Sequence, residues 1–453
     1  MLYESESGDL DISLAGDVML TRRISVAREP AFTAIRDIIR DSDVAFANLE
    51  SSVRTPDEGT PGITVGTYMT TPPDLLDEIK WLGIGLVSCA NNHAFDYGEG
   101  GVLATMQHLD EAGIAHAGSG RNLAEARAPA YIDTPRGRVA LIATTATFRP
   151  WNRASGQRSD MGGRPGINPF GSTSEYVVDT VAIAELRRIN TELGFEKARS
   201  RDLAHFYSER DLGGKSEEAV VMLGHRFVGG DEFSVRSKGD VADAEDNLRW
   251  IAEARRQADW VIMSFHSHEF GGKSTTLAES RADLEEPADF VKDFGRAAID
   301  AGADMFVGHG SHTLLGAEIY RKKPIFYSLG NLVFMNETVP AFPEEAYLRF
   351  DLGPNATPAD FLDVRTDKDK KGHPANAKYW QGAVAKCRYR KRELVEIRLY
   401  PTDLGFGTGR AQRGRPMLAT GEVADRIISR AQNLSSQYGT HIMNDNGVGV
   451  IRA

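Results

Sequence analysis

The sequence predicts an α/β protein with a mostly parallel sheet that is covered by helices. Short apolar runs alternate with amphipathic stretches over the first 145 residues, which is the pattern of such a sheet. Most of these runs end in polar turns rich in Asn, Asp or Gly, and the same rhythm returns after residue 260. A chain of 453 residues is also long enough to bury a large sheet.

The first half of the predicted sheet lies between residues 11 and 145. The short apolar runs predict strands, and the amphipathic stretches between them predict helices that cover the sheet. The predicted strands are Asp11–Leu20, Asp43–Asn48, Gly85–Ala90, Ile114–Ala117 and Arg138–Thr145, and the predicted helices include Ala31–Arg40, Asp74–Trp81 and Glu99–Ala112.

The composition changes over residues 148–259, where we expect an insertion that lies over the strand ends and covers the site. A segment of this length at a site decides which substrates fit. Its predicted parts are a loop rich in Gly, Pro, Asn and Arg at Gly162–Gly171, a polar helix at Ala182–Leu193 and a Gly-rich segment at Val228–Gly239.

The α/β rhythm then resumes and completes the sheet, so that residues 1–337 form the predicted catalytic domain. Residues 338–453 are mixed in character and predict a smaller α+β appendage. Within the appendage, the basic stretch Lys386–Arg392 is expected to be a solvated face. The remaining predicted elements are the strand Trp260–Phe265, the helix Pro287–Ala301, the strand Asp304–Val307, a hairpin over Leu315–Leu329, the strand Leu394–Tyr400 and the helix Thr420–Ser435.

Composition narrows the class of partner. With 53 Lys and Arg against 64 Asp and Glu, the net charge of -11 offers no footprint for nucleic acid. The acidic N-terminal stretch does not have the pattern of a secretory signal, and no apolar run approaches the roughly 18 residues that cross a bilayer. Cys89 and Cys387 are too few for a disulfide framework or a thiolate metal cage. We therefore expect a cytoplasmic protein that binds neither nucleic acid nor membrane.

Polar residues directly after the apolar runs are the candidates for a functional site. In an open parallel sheet, ligands bind beyond the carboxyl ends of the strands. Five separate strands deliver acid, amide or imidazole side chains to that edge. These side chains are Asp17, Asn48, Glu50, Asn91, Asn92, His93, His266, His268, Glu269, His309 and His312.

Each of these residues taken alone also has a structural interpretation. An Asp after a Gly is more often a turn residue, and Glu50 suits the start of a helix. The Asn91-Asn92-His93 run is a stronger signal, because neither helix nor strand propensity explains it. The His309-Gly310-Ser311-His312 pair is stronger still. The structural interpretation would require all five strands to end in such side chains by coincidence. We therefore predict that these side chains form a single site.

Several segments in this order resemble the CapA family, proteins named for poly-γ-glutamate capsule synthesis whose domain is similar to the calcineurin-like metallophosphoesterases. The resemblance spans Asp11 to Phe334 and implies a four-layered αββα sandwich with the site where the strand ends meet. Met19 stands where those phosphoesterases have the imidazole of an Asp-x-His motif, and a thioether suits neither Mg²⁺ nor Mn²⁺. The matching segments are Gly16-Asp17-Val18-Met19, Asn48-Leu49-Glu50, Ala90-Asn91-Asn92-His93, Asp96-Tyr97-Gly98, Arg164-Pro165-Gly166-Ile167-Asn168-Pro169, Ser264-Phe265-His266, Gly308-His309-Gly310-Ser311-His312 and Tyr327-Ser328-Leu329-Gly330-Asn331.

The leading hypothesis is a metal-assisted hydrolase acting on an amide, γ-glutamyl or phosphoester bond of a small-molecule or peptide substrate. The mixed oxygen and nitrogen donors favour Mn²⁺, Zn²⁺ or Fe over Ca²⁺, and Arg164 suits a bidentate clamp on a substrate carboxylate. The predicted catalytic residues are Asp17, His93 and His312, the predicted ligands of one or two ions are Asp17, Glu50, Asn92, His93, His266 and His309, and the predicted substrate contacts are Arg164, Asn168, His268 and Glu269.

Two alternatives stay open from the sequence. Without a metal, Asp17 with His93 or His312 forms an acid/base pair able to move a proton next to a carbonyl, as in a peptide epimerase. A non-catalytic binding or assembly protein for capsule polymer is the other alternative, although binding alone does not require imidazoles from several strands.

Overall fold

The computed structural model describes residues 8–64, 66–209, 212, 219–271 and 285–452. Its backbone contacts divide the chain into two compact units. The first unit consists of Met1–Phe170, Glu245–His268 and Gly295–Ala453, and the second consists of Gly171–Ala244 and Glu269–Phe294.

Strands and helices alternate over much of the described chain. The strands are β1 Leu10–Met19, β2 Val44–Leu49, β3 Ser52–Val53, β4 Thr70–Thr71, β5 Leu86–Ser88, β6 Ala115–Ala117, β7 Ser119–Gly120, β8 Ala130–Thr134, β9 Gly137–Thr145, β10 Gly166–Ile167, β11 Ser172–Val178, β12 Ala219–Met222, β13 His225–Gly229, β14 Ser234–Gly239, β15 Trp260–His266, β16 Met305–His309, β17 Ala317–Tyr320, β18 Lys323–Phe326, β19 Asn331–Phe334, β20 Gln381–Arg390, β21 Glu393–Asp403, β22 Met417–Leu418, β23 Met443–Asp445 and β24 Val448–Arg452. The α-helices are α1 Pro30–Arg40, α2 Leu76–Leu82, α3 Gly98–Ala112, α4 Leu123–Arg127, α5 Thr180–Glu192, α6 Phe195–His205, α7 Val241–Arg255, α8 Asp289–Ala301, α9 Glu344–Leu348, α10 Pro358–Thr366 and α11 Gly421–Ser436.

Two large sheets build the first unit. The ten-stranded sheet has the order β23-β24-β21-β20-β1-β2-β5-β6, with β19 also paired to β1 and β22 to β21. Strands β1, β2, β5 and β6 run parallel, and β20 joins β1 antiparallel. The six-stranded sheet has the order β17-β18-β16-β15-β9-β8, in which β9, β15, β16 and β18 are parallel and the two edge strands are antiparallel.

One hydrophobic core joins the facing sides of these sheets. It contains Ile12 and Phe46 from the ten-stranded sheet together with Leu141 and Ile262 from the six-stranded sheet. The parallel strands are buried almost throughout, as expected when both faces of a sheet are covered.

Helices cover the other face of the ten-stranded sheet. Helix α1 begins at Pro30, which fits the first turn because its missing N–H is not needed there. Its buried residues Phe32, Ile35 and Ile39 recur at helical spacing and pack with Ala47 of β2. The sheet therefore has an apolar cover on both faces, and its strand ends remain the place for polar side chains.

The second unit contains a four-stranded sheet of order β12-β13-β11-β14. Among the described residues, a small hydrophobic core of this unit contains Val178, Ile183 and Val220. The sequence predicts one insertion over residues 148–259, whereas the second unit includes only residues 171–244 of that span and adds residues 269–294.

The predicted α/β class is confirmed, and the C-terminal part differs from expectation. Residues 338–453 do not form a separate appendage, because β20 and β21 extend the same sheet that contains β1. The basic stretch is also only partly solvated, since Lys386 and Cys387 are buried and Lys386 pairs with Asp41 at the end of helix α1. Basic residues alternate with core residues along β20, so this strand does not form an apolar run in the sequence.

No helix in the described residues is long and apolar enough to span a membrane.

The close approach of two backbone segments beside β1 gives a first test. A Cβ atom at Gly16 would overlap the carbonyl oxygen of Gly330, which accepts the backbone N–H of Asp17 at 3.1 Å. We expect Gly16→Ala to lower the free energy of unfolding by about 3 kcal/mol or more, because backbone cannot move aside as a side chain can.

Chemical denaturation measures this effect. Gly162→Ala is the matched control, because a Cβ atom there meets nothing within 4 Å. Equal stability of the two variants would contradict the close approach.

Candidate functional site

The site lies at the carboxyl ends of strands from both large sheets. Asp17 and Asn48 are register partners near the ends of β1 and β2, and Glu50 follows β2 directly. His266 and His309 are register partners at the last positions of β15 and β16. Parallel pairing therefore brings side chains that are far apart in sequence to one edge.

Glu50 is the centre of this cluster. It has no exposed surface, and neither carboxyl oxygen has a hydrogen-bond partner among the described residues. Its Oε1 lies 3.9, 3.8 and 3.7 Å from the Nε2 atoms of His93, His266 and His312. Burial raises the pKa of Glu50 to about 8, so that without a cation this carboxyl group holds a proton near neutral pH.

Asp17 is a second fully buried carboxyl group, and its electrostatics are opposite. Its Oδ1 lies 3.3 Å from His309 Nδ1 and its Oδ2 lies 3.4 Å from His312 Nδ1. Burial alone would raise the pKa of Asp17, but the two imidazoles outweigh burial and hold that pKa well below its usual range. Asp17 is therefore the anionic member of the cluster.

Asn48 fixes the orientation of Asp17 and of His266. Its amide nitrogen donates to Asp17 Oδ1 at 2.9 Å and lies 3.3 Å from His266 Nδ1, while its Oδ1 accepts from Asn91 at 3.3 Å. This network assigns the ring proton of His266 to Nε2, which lies 3.2 Å from His268 Nε2. Burial holds the pKa of His266 well below its usual range, so this ring is neutral.

His93 and Asp96 form a hydrogen-bonded dyad. The Nδ1 of His93 lies 2.6 Å from Asp96 Oδ2, which also accepts the backbone N–H of Met69 at 2.7 Å. With the ring proton on Nδ1, the Nε2 lone pair is available on the side of Glu50. Burial alone would lower the pKa of His93, but the Asp96 and Glu50 carboxyl groups outweigh it and raise that pKa.

His312 is held in a strained backbone conformation. Its φ of 56° is in the left-handed region, directly after Gly310 and Ser311, and such strain in a non-Gly residue is frequent at functional sites. Its Nδ1 lies 3.1 Å from the Oδ1 of Asn331, and the amide nitrogen of Asn331 donates to the carbonyl oxygen of His312. Burial alone would lower the pKa of His312, but Glu50 and Asp17 outweigh it and raise that pKa to about 9.

Two sets of donor atoms are close enough to surround a cation. One donor atom each from Glu50, His268 and His312 lie within 4.8 Å of one another, and so do those from Asp17, Glu50 and His266. Two ligands of a tetrahedral ion at about 2.1 Å lie about 3.4 Å apart, so a small closure brings either set onto one ion. Glu50 belongs to both sets.

Further unpaired atoms lie at the same strand ends. Asn92 Oδ1 and His309 Nε2 are buried without a hydrogen-bond partner in the described part of the chain, and His309 Nδ1 has the ionic contact with Asp17 but no well-aligned hydrogen bond. Met19, in contrast, packs in an apolar cluster with Tyr68, Phe334 and Trp380.

The other sequence-predicted residues have different surroundings. Arg164 is exposed, and its guanidinium donates to the carbonyl of Arg153. Asn168 is buried, and its amide nitrogen donates to Ala143 O and Asn247 Oδ1 at 2.8 Å each. Glu269 begins a segment of the second unit, where its carbonyl accepts from the backbone N–H of Ala288. None of these contacts is with the imidazole cluster.

His373 is a neighbour of the cluster that was not predicted from the sequence. Its ring centroid lies 5.5 Å from that of His312 and 4.4 Å from that of Tyr379. It follows no apolar run and lies beyond the predicted catalytic domain. It was therefore not among the polar residues predicted at the strand ends. Asp96 and Asn331 belong to the matched motifs, but only the structure assigns each to its histidine.

Known proteins resemble this chain over most of its length. A family model described as "Bacterial capsule synthesis protein PGA_cap" matches residues 11–336. An uncharacterized protein of Sinorhizobium fredii is 34% identical over 96% of this chain and 92% of its own length. The capsule biosynthesis protein CapA of Bacillus anthracis is 22% identical over 82% of this chain and 70% of its own length. A solved phosphatase structure from Mycoplasma pneumoniae aligns with a TM-score of 0.36 at 9% identity, over 87% of this chain and 94% of that one.

The buried Glu50 carboxyl group gives a pH-dependent test. Because its pKa is raised from an unfolded value near 4.5 to about 8 in the folded protein, the native state favours the protonated form. Its contribution to stability is fully present below about pH 4.5 and is lost as the pH rises toward 8.

We therefore expect metal-free Glu50→Gln to gain stability relative to the metal-free wild type as the pH rises, by about 3 kcal/mol between pH 4.5 and 7.5. Denaturant unfolding at several pH values measures the difference, with Glu344→Gln at an exposed helix start as the control. A difference that does not change with pH would contradict the raised pKa.

Proposed function

Since this chain belongs to the bacterial capsule synthesis protein family PGA_cap, we propose that it is a metal-assisted hydrolase acting on an amide, γ-glutamyl or phosphoester bond. The family resemblance drawn from the sequence motifs is thereby confirmed. The reaction, the metal and the substrate are the parts that we propose.

The observation that carries the proposal is the environment of Glu50. A carboxyl group without exposed surface and without a hydrogen bond is costly to keep. Three imidazole nitrogens lie within 3.9 Å of its Oε1 and do not satisfy it. A divalent cation would satisfy the carboxylate and the imidazole lone pairs together.

The donor set fits such an ion. Of the two candidate sets, Glu50, His268 and His312 fits better, because the second set includes His266, whose ring proton lies on Nε2. Asn331 accepts the Nδ1 proton of His312 and so directs its Nε2 lone pair to the side of Glu50, which is the outer-shell arrangement typical of metal-binding histidines.

When bound, such an ion would lower the pKa of water to around 7 and polarise a scissile carbonyl or phosphoryl group. His93, oriented by Asp96, holds or accepts a proton at its Nε2 beside the reacting bond. Asp17 stays ionised and lies beside the Nδ1 atoms of His309 and His312. Burial of the whole cluster excludes bulk water, which strengthens each of these interactions.

We also propose the finer parts of the architecture and setting. The arrangement of two sheets, with helices covering the outer face of the ten-stranded sheet, fits a four-layered αββα sandwich, and we propose that the insertion determines which substrates fit. A small-molecule or peptide substrate and a cytoplasmic location remain part of this proposal.

The contact of Asp17 with His312 favours a second candidate, a metal-free acid/base enzyme. Asp17 Oδ2 lies 3.4 Å from His312 Nδ1, and a carboxylate at that position stabilises the imidazolium form. Such a pair can transfer a proton at a carbon next to a carbonyl group, as in a peptide epimerase.

Metal dependence separates the two candidates. We expect chelation to abolish hydrolysis of a chromogenic phosphoester or γ-glutamyl anilide, and Mn²⁺ or Zn²⁺ to restore it. Glu50→Gln and His312→Ala should lose bound metal and turnover together, whereas His441→Ala, an exposed histidine, should lose neither. Elemental analysis and initial rates measure both properties.

The opposite result supports the second candidate. Protein with under roughly a tenth of an equivalent of metal, fully active in excess chelator, would contradict the hydrolase mechanism. In that case Asp17→Asn and His312→Ala should each cost on the order of 10²-fold in turnover.

Asp96 should act by positioning His93. We expect Asp96→Asn to lower kcat by on the order of 10²-fold at unchanged metal content, because the amide no longer fixes the His93 ring proton on Nδ1. The pH dependence of kcat distinguishes this from a structural effect, since its limb due to His93 should shift. An unchanged pH profile with a proportionate loss of folded protein would contradict the role.

A further inference from the structure

A cavity of about 290 Å³ lies beside His373 in the first unit. The polar residues on its wall that matter here are Thr67, Asn336, Glu337, Arg365, Lys371 and His373. His373 also contacts the imidazole cluster, because its ring centroid lies 5.5 Å from that of His312. His373 therefore lies both on the cavity wall and next to the candidate active site.

The charge of the cavity wall is positive. Arg365 is half-buried, and its Nη1 donates to Thr67 Oγ1 at 2.7 Å, but it pairs with no carboxylate in the described parts of the chain. The exposed Lys371 adds a second positive charge. The carboxylate of Glu337 is already neutralised, because Arg413 binds both of its oxygens at 2.5 and 2.6 Å.

Asn336 requires a hydrogen-bond donor from the ligand. Its Oδ1 is buried and accepts no hydrogen bond from the described residues. An amide oxygen attracts an N–H donor and repels the oxygens of an anion. The oxygens of a fully ionised phosphate group would satisfy Arg365 but would leave Asn336 unpaired, whereas a carboxylate next to an amide N–H would satisfy both.

We infer that this cavity binds a carboxylate-bearing amide, such as the acidic residue of a peptide-like ligand, with Arg365 on the carboxylate and Asn336 on the amide N–H. Arg365 would then be the carboxylate clamp that the sequence analysis assigned to Arg164. The guanidinium fork suits a carboxylate in bidentate fashion.

His373 places a ligand of this cavity next to the candidate active site. Trp380 donates its indole N–H to the carbonyl of His373 at 2.9 Å and so fixes the segment between the cavity and His312. A ligand anchored at Arg365 would direct its adjoining bond toward His312. The identification of this ligand as the substrate rests on the proposed function, but the binding itself does not.

Calorimetric titration of metal-free protein in chelator tests the inference without any turnover. The three probes are N-acetylglutamate, its diamide, which has no carboxylate, and inorganic phosphate, which has no amide. We expect N-acetylglutamate to bind at least about tenfold more tightly than either of the other probes, since a charge-assisted contact is at stake. Arg365→Gln should weaken it by about tenfold or more, and Arg365→Lys by less.

Arg188→Gln, an exposed arginine paired with Glu185 on α5, is the control and should bind as the wild type does. Absence of binding to the wild type, equal binding by Arg365→Gln, or equal binding of the diamide would overturn the inference. Phosphate binding as tight as N-acetylglutamate would also overturn it.

If Arg365→Gln does not fold, Arg365→Lys and Lys371→Gln carry the same comparison, and unchanged affinity in both would overturn the inference. Protein that binds N-acetylglutamate through Arg365 but takes up no metal, or stays fully active in excess chelator, would refute the proposed hydrolase and leave this inference standing.

Discussion

The site depends on one physical constraint, the burial of Glu50 without a hydrogen bond. A carboxyl group in that position must be protonated, paired with a cation or bound to a metal ion. The surrounding histidines lie where they can share a cation with Glu50, since three of their Nε2 atoms are between 3.7 and 3.9 Å from its Oε1. The protein maintains this arrangement because parallel strands from two sheets end at the same edge.

Hydrogen bonds from neighbouring residues give each histidine of the cluster its own tautomer and protonation state. Asp96 fixes the ring proton of His93 and Asn331 fixes that of His312, whereas Asn48 donates toward His266. Similar side chains therefore differ in what they can do: His266 is neutral with its proton on Nε2, whereas the pKa values of His93 and His312 are raised and their Nε2 lone pairs would become available once a metal ion displaces the proton. Met19 lies outside this set in an apolar cluster, so the cluster obtains its imidazoles from the other strand ends.

Much of the first sheet and of the site was predictable from the sequence, because both follow from apolar runs that end in polar turns. The strand predicted at Asp11–Leu20 is β1 at Leu10–Met19, and the helix predicted at Ala31–Arg40 is α1 at Pro30–Arg40. Strand β20 was missed because basic residues alternate along it with the core residues Ala385, Cys387 and Tyr389. His373 and Arg365 reach the neighbourhood of the site only through tertiary packing, which no local pattern encodes.

Anomalous diffraction from a crystal grown with Mn²⁺ or Zn²⁺ tests the central claim most directly. We expect an anomalous peak bonded to a Glu50 oxygen and to a nitrogen each of His268 and His312, at ligand distances of about 2.0 to 2.2 Å. Well-ordered density for the Glu50 carboxyl group with no anomalous peak near it, and with a hydrogen bond to water or to a histidine in its place, would contradict the account.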